Sequence, residues 1–126
     1  MIYGIGTDVV EVSRIKQSLD KYGARLAKKI LTLEEMEAFQ ASSLKENFLA
    51  KRFAAKEAFS KAMGTGLRDE INLQGISVKH NKIGKPSFKF DKKINAILFN
   101  QKITSQHLSI SDEKNIAVAF VVLEQL

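Results

Sequence analysis

Ser43-Leu44-Lys45-Glu46-Asn47-Phe48-Leu49-Ala50-Lys51-Arg52-Phe53-Ala54-Ala55-Lys56-Glu57-Ala58-Phe59-Ser60-Lys61-Ala62-Met63-Gly64 is the stretch from which the fold follows. It contains no proline, and Phe48, Ala55, Phe59 and Met63 recur at helical spacing to form an apolar stripe. Ser43 and Glu46 have the spacing of a capping box, which predicts the helix start. Gly64 supplies the stop. The longest helix of the chain therefore runs to about Met63, and its stripe has to be buried against something else.

What flanks it supplies the partners. Upstream, Ile2 to Val10 is short and β-branched, which predicts a buried strand ending near Asp8. From Val12, residues Ile15, Leu19, Tyr22 and Leu26 recur helically, with Gly23 dividing two short helices. Thr32 and Glu35 form a further capping box, opening a helix to about Ala41. Downstream, Gly64-Thr65-Gly66 begins an irregular stretch to about Gly75. Ile76–His80 and Ser87–Phe90 read as hairpin strands around the turn residues Asn81 to Pro86. Asp91 caps a helix to about Gln101, and His107–Ser111 and Ile116–Leu123 are two more strands around a turn at Asp112 to Asn115. Helices gather in the first half and antiparallel hairpins in the second. The class is α+β, a small antiparallel sheet packed on the long helix.

At 126 residues, 44% hydrophobic and 27% charged, the chain has the composition of one globular domain. It has no cysteine, which excludes disulfides and thiolate metal sites. No apolar run is long enough for a membrane helix, and no signal peptide is legible at the N-terminus, so the expected setting is cytoplasmic, away from membranes. The net charge of +6 favours anionic partners without choosing among them.

Chemistry is concentrated at three residues. Glu57 and Lys61 stand four apart, on one face of the long helix. Alone they make an ordinary surface ion pair worth about 0.3–0.5 kcal/mol. Asp8 shifts the balance, because a carboxylate at the end of a buried strand needs a partner. Two readings stand for it: a cap for the following helix, or, converging with Glu57, one of two hard oxygen ligands for magnesium. Magnesium takes one or two carboxylates and fills its shell with water and phosphate oxygens, and Lys61 would face the same phosphates. Gly64-Thr65-Gly66 can present amides to a phosphate or simply end the helix.

Gly4-Ile5-Gly6-Thr7-Asp8-Val9-Val10-Glu11 and Arg52-Phe53-Ala54-Ala55-Lys56-Glu57-Ala58-Phe59-Ser60-Lys61-Ala62, followed by Gly64-Thr65-Gly66, resemble the two motifs of the phosphopantetheinyl transferase superfamily. Within it the match is to the short bacterial holo-acyl-carrier-protein synthases. Gly84-Lys85-Pro86 and His107-Leu108-Ser109-Ile110-Ser111 match weaker segments, so the resemblance spans residues 1–126 in order. Asp112 stands where the family commonly has histidine.

The resemblance implies transfer of phosphopantetheine from coenzyme A to a carrier-protein serine, in support of fatty acid biosynthesis. It implies magnesium on Asp8 and Glu57, with Lys61 assisting the leaving phosphate and the base open between Glu57 and a metal-bound water. Cofactor contacts would come from Lys61, Gly64, Thr65, Gly66, Arg52, Lys45, Pro86 and His107, with Arg52 and Lys45 on the 3′-phosphate. Arg14, Lys21 and Arg25, with Lys16 nearby, would dock the acidic acyl carrier protein, Ile15, Leu19 and Tyr22 adding apolar contact. Their alternative is a wetted surface over a core that includes Ile15 and Leu19. The chain has the length of one half of the family's two-lobed, pseudo-dimeric members, which implies a homotrimer with sites at subunit interfaces. Two rivals are a basic nucleic-acid-binding domain and a noncatalytic binding subunit. The first lacks any nucleic-acid-binding motif, and the second does not explain the intact set of Asp8, Glu57 and Lys61.

Overall fold

The computed structural model describes all residues, Met1–Leu126. The long helix, α4 (Lys45–Met63), lies at the centre and is buried on most of its circumference. Ala54, Ala55, Ala58 and Phe59 have no exposed surface, and the small residues let neighbouring backbone come close. On one side α4 meets a three-stranded antiparallel sheet of order β1 (Ile2–Glu11), β5 (Ile116–Gln125), β4 (Ile103–Asp112). On another it meets the hairpin of β2 (Ile76–His80) and β3 (Pro86–Phe90), where Phe59, Phe88 and Phe90 form an aromatic cluster with centroids 4.6–5.4 Å apart.

The shorter helices complete the packing. α1 (Val12–Tyr22) and α2 (Ala24–Ile30) are divided by Gly23, at φ +61°, and α3 (Leu33–Ala41) follows. A 3-10 turn at Leu73–Gly75 precedes β2, and α5 (Lys92–Asn100) begins under Asp91, whose Oδ1 accepts from the Ile94 amide at 2.9 Å. The α+β class and the helix-on-sheet arrangement follow the sequence.

Some local expectations are corrected. β1 does not end near Asp8. It continues through Glu11, and Asp8 stays in the ladder opposite Ala119. Ser43 does not cap α4, which starts one residue later than a serine cap there requires. The N-cap position is Leu44, with no side-chain bond, and Ser42 Oγ instead accepts from the Leu44 amide at 3.2 Å. At α3 the expected box is visible in Glu35, whose Oε1 accepts from the Thr32 amide at 2.9 Å.

A close approach between β1 and α4 explains two glycines. A Cβ on Gly4 would lie 2.0 Å from the Ala62 carbonyl oxygen, and one on Gly6 would lie 2.0 Å from that of Ala58. Only glycine lets β1 lie this near to α4. The inward row of β1 is therefore Gly4, Gly6, Asp8, Val10, and it brings Asp8 to the flank of the helix. Facing away from α4, the register stacks Ile5 with Val122 and His107, Thr7 with Phe120 and Ser109, and Val9 with Val118 and Ser111. Ile5 and Val9 on that face are 59% and 62% exposed, an apolar surface with no cover in the single chain.

Candidate active site

Asp8 and the 57/61 face of α4 converge because a glycine-lined strand runs against an alanine-lined helix. Lys61 Nζ donates to Asp8 Oδ1 and to the Thr7 carbonyl, both at 3.0 Å. The side chain of Asp8 is only 15% exposed, whereas Lys61 reaches solvent. Burial pushes the Glu57 carboxyl above its ordinary value, the Asp8 charge pushes it further, and Lys61 opposes both. A carboxylate whose ionisation is made costlier by the Asp8 charge, with an ammonium beside it, makes a site that favours added positive charge.

These groups open into a cleft of about 490 Å³ whose walls include Phe53, Ile15, Glu11 and Arg14. The donor set fits magnesium. Asp8 and Glu57 could offer it two hard carboxylate oxygens, and the open side of the cleft leaves room for water and phosphate. Of the two readings for Asp8, the helix cap is not what forms: the N-cap position of α1 is Glu11.

The remaining cofactor candidates are distributed differently. Gly64 ends α4 in the left-handed region at φ +80°, and its amide bonds the Lys61 carbonyl at 3.0 Å. The Thr65 and Gly66 amides both bond the Ser60 carbonyl, at 3.3 and 3.2 Å, so these three amides serve the helix end. Arg52 lies about 140° around α4 from Glu57. It is turned inward: its Nη1 donates to Glu35 Oε2 at 3.0 Å and to the Val78 carbonyl, and the residue is 8% exposed. The surface phosphate partner expected at Arg52 is thus first an interior residue. Lys45 Nζ donates to the Ser42 carbonyl at 2.8 Å and lies over the Phe39 ring, while Arg52 lies over Phe48, the next ring. Pro86 pairs with His80, whose imidazole is pushed below its usual value by burial and then by Arg52 and Lys51. Lys45, Arg52 and Pro86 thus gather on a flank separate from the Asp8–Glu57 cleft. His107 is on neither: it lies on the outward face of the sheet, with Nε2 2.6 Å from Glu124 Oε1.

Among the docking candidates, Arg14 lines the cleft itself, 3.9 Å from Glu11. Lys21 and Arg25 flank the Tyr22 ring, which is 46% exposed. Ile15 and Leu19 are partly buried against the core, so the apolar contact open to a partner in α1 is Tyr22.

The spacing of the sequence did not reveal Lys56. It is fully buried, 2.6 Å from Glu35 Oε1, which is itself nearly fully buried. The signal was present: a lysine set inside Ala54-Ala55-Lys56-Glu57-Ala58 on a buried helix has to find an anion.

Residues 4–121 match the model of the 4'-phosphopantetheinyl transferase superfamily. The chain belongs to that superfamily. A holo-[acyl-carrier-protein] synthase of Nitrosospira multiformis is 54% identical over 99% of this chain and 100% of its own length. The crystal structure of holo-[acyl-carrier-protein] synthase from Neisseria meningitidis superposes with a TM-score of 0.96 at 46% identity, covering 99% of this chain and 100% of that one. The Bacillus anthracis synthase, solved in complex with CoA (3',5'-ADP), has a TM-score of 0.84 at 40% identity, covering 100% and 99%. The matched range 4–121 includes Asp8, Glu57 and Lys61.

Proposed function

We propose that this chain, as one domain over residues 1–126, transfers 4'-phosphopantetheine from coenzyme A to a serine of apo-acyl-carrier protein and releases adenosine 3',5'-bisphosphate. The observation that carries the reading is the convergence of Asp8, Glu57 and Lys61 at one cleft. The serine oxygen attacks the β-phosphorus, and the bond from that phosphorus to the oxygen bridging the α-phosphate breaks. Bound magnesium would neutralise pyrophosphate charge there. Asp8 and Glu57 would hold it. Lys61, already donating at 3.0 Å into the same site, is placed to steady the charge that builds on the departing phosphate. The serine proton would pass to Glu57 or to a metal-bound water.

The separation of Lys45, Arg52 and Pro86 from the cleft supports an assembly in which one subunit supplies the carboxylates and its neighbour the remaining cofactor contacts. The exposed apolar row of Ile5, Val9 and Phe120 is the surface we assign to that contact, in a homotrimer. Arg14, Lys21, Arg25 and exposed Tyr22 form the surface assigned to the acidic carrier protein, where charge raises on-rate and specificity. No helix is long and apolar enough to cross a membrane. We assign the enzyme to the cytoplasm and to fatty acid biosynthesis.

The test is the intact mass of an apo-acyl-carrier protein after incubation with the chain, coenzyme A and magnesium. A gain of about 340 Da, abolished by a chelator, is the expected signature of this metal-dependent transfer. Asp8→Ala should lose it while remaining folded. No gain with several carrier proteins overturns the reading.

A further inference from the structure

Behind the cleft, on the opposite side of α4, one carboxylate and two cations are sealed in the interior. Glu35 Oε1 accepts from Lys56 Nζ at 2.6 Å and from the Thr32 amide at 2.9 Å. Its Oε2 accepts from Arg52 Nη1 and from the Val78 amide, both at 3.0 Å. Lys56 Nζ also donates to the Ile30 carbonyl at 2.7 Å and the Leu73 carbonyl at 3.2 Å. Most of these partners are main chain. The cluster therefore ties α4 to the end of α2, the start of α3, the 3-10 turn and β2, and no buried side-chain polar atom of the protein is left unpartnered.

A cluster used only for stability is a poor choice here, because well-packed apolar residues generally serve as well as a buried ion pair. What such a cluster provides that apolar packing does not is direction. Each bond fixes Lys56 about the axis of α4, and Lys56 is the residue before Glu57. Its neighbour in the cluster, Arg52, precedes Phe53, which lines the cleft.

We infer that the buried Glu35–Lys56 pair is a positioning device that sets the roll of α4 and so holds the Glu57 carboxylate against Asp8. The far side of the helix is gripped by Gly4 and Gly6, so the pair closes a clamp that the glycine contact begins. A glutamate carboxylate stands about 6–7 Å from a helix axis, so a roll of about 10° moves it by about 1 Å. A displacement of that size costs on the order of a hundredfold in rate when reacting groups must be aligned. The inference rests on the transferase reading, in which Glu57 acts at the reacting phosphate.

Glu35→Gln keeps the shape and removes the charge that orients Lys56. Steady-state transfer, measured well below the melting temperature, should show kcat down about 10- to 100-fold, with KM for coenzyme A and for carrier protein within about twofold of the parent. Calorimetric titration of magnesium into the protein with coenzyme A should show affinity weakened at least about fivefold, since the two ligands no longer face one another. The paired variant Glu35→Gln/Lys56→Met removes both charges of the pair, leaves Arg52 its Val78 carbonyl, and guards against a variant that fails only by stranding a buried lysine. It should show the same kcat loss. A lowered melting temperature with kcat and magnesium affinity intact, in either variant, overturns the inference. If the parent transfers phosphopantetheine yet binds no magnesium, the metal assignment falls while the kcat-against-KM split still decides the positioning role.

Discussion

Lys61 and Asp8 share a hydrogen bond of 3.0 Å across the junction of α4 and β1, with Glu57 one helical turn away on the same face. The lysine thus compensates, in the single chain, a pair of carboxylates that the fold forces together. Lys61→Met should remove that compensation and, in the proposed transfer, the positive charge for the departing phosphate. We expect kcat to fall about 10²- to 10³-fold, the scale of losing one charge-stabilising donor at a reacting centre, with far less change in KM. Single-turnover transfer with the variant checks this.

The pH dependence follows from Glu57. Its carboxyl sits above the ordinary 4.5, so on acidification it takes up a proton before a free glutamate would, and that protonation competes with metal. At limiting magnesium, activity should fall as pH drops through a midpoint above 4.5, and saturating magnesium should move the midpoint down. Rate profiles at two magnesium concentrations test the sign.

The same shift has a stability consequence of opposite sense. A carboxyl raised in the folded state holds its proton more tightly there, so its ionisation weakens the metal-free fold as pH rises past 4.5. Glu57→Gln should therefore raise the melting temperature slightly at neutral pH, by about 1–2 °C, while losing transfer. Scanning calorimetry of metal-free protein reads it directly.

Glu35 behaves in the reverse way. Burial raises its carboxyl, but the Lys56 charge, the Lys56 hydrogen bond and the Thr32 and Val78 amides together bring it below 4.5. Its contribution is complete above pH 4.5 and is lost as pH falls from there through the lower folded value. Denaturant titrations between pH 6 and 3 should show stability dropping in the parent, and Glu35→Gln should flatten that slope.

Gly6→Ala should be the most damaging small substitution in β1. The added methyl would overlap the Ala58 carbonyl oxygen, which is main chain and has no rotamer to escape into. A loss of at least about 3 kcal/mol is expected, at the upper end of overpacking penalties. Thermal melts of Gly6→Ala beside Gly23→Ala separate this clash from glycine's conformational role, since a Cβ at Gly23 meets nothing.

The sequence made much of this legible because periodicity reports on single elements. The strand at Ile76–His80, the Asp91 cap and the Gly64 stop are each decided within a few residues and each stands in the structure, although Ile76, Ser77 and Val78 are all buried rather than alternating. The Glu57–Lys61 face was legible for the same reason. What escaped depends on residues distant in the chain. Gly4 and Gly6 sit in a strand that the sequence shows, but their purpose is hidden until α4, more than fifty residues later, is placed on them. Glu35 satisfies a local capping pattern, and nothing local says that its second oxygen will meet Arg52 and Val78. Arg52 looked like surface because local pattern does not record which flank β2 will cover.

The glycine contact between β1 and α4 has one more meaning. The carboxylates of Asp8 and Glu57 are carried by two elements packed main chain against main chain at Gly4 and Gly6, so their separation is set by backbone against backbone. Side-chain substitutions around the cleft can alter charge or access, but they have little purchase on that distance. A descendant enzyme that needed a wider gap, for a larger ion or a bulkier phosphate, would have to introduce side chains at Gly4 or Gly6 and rebuild the helix face opposite. The spacing is heritable as a unit, and it resists gradual drift.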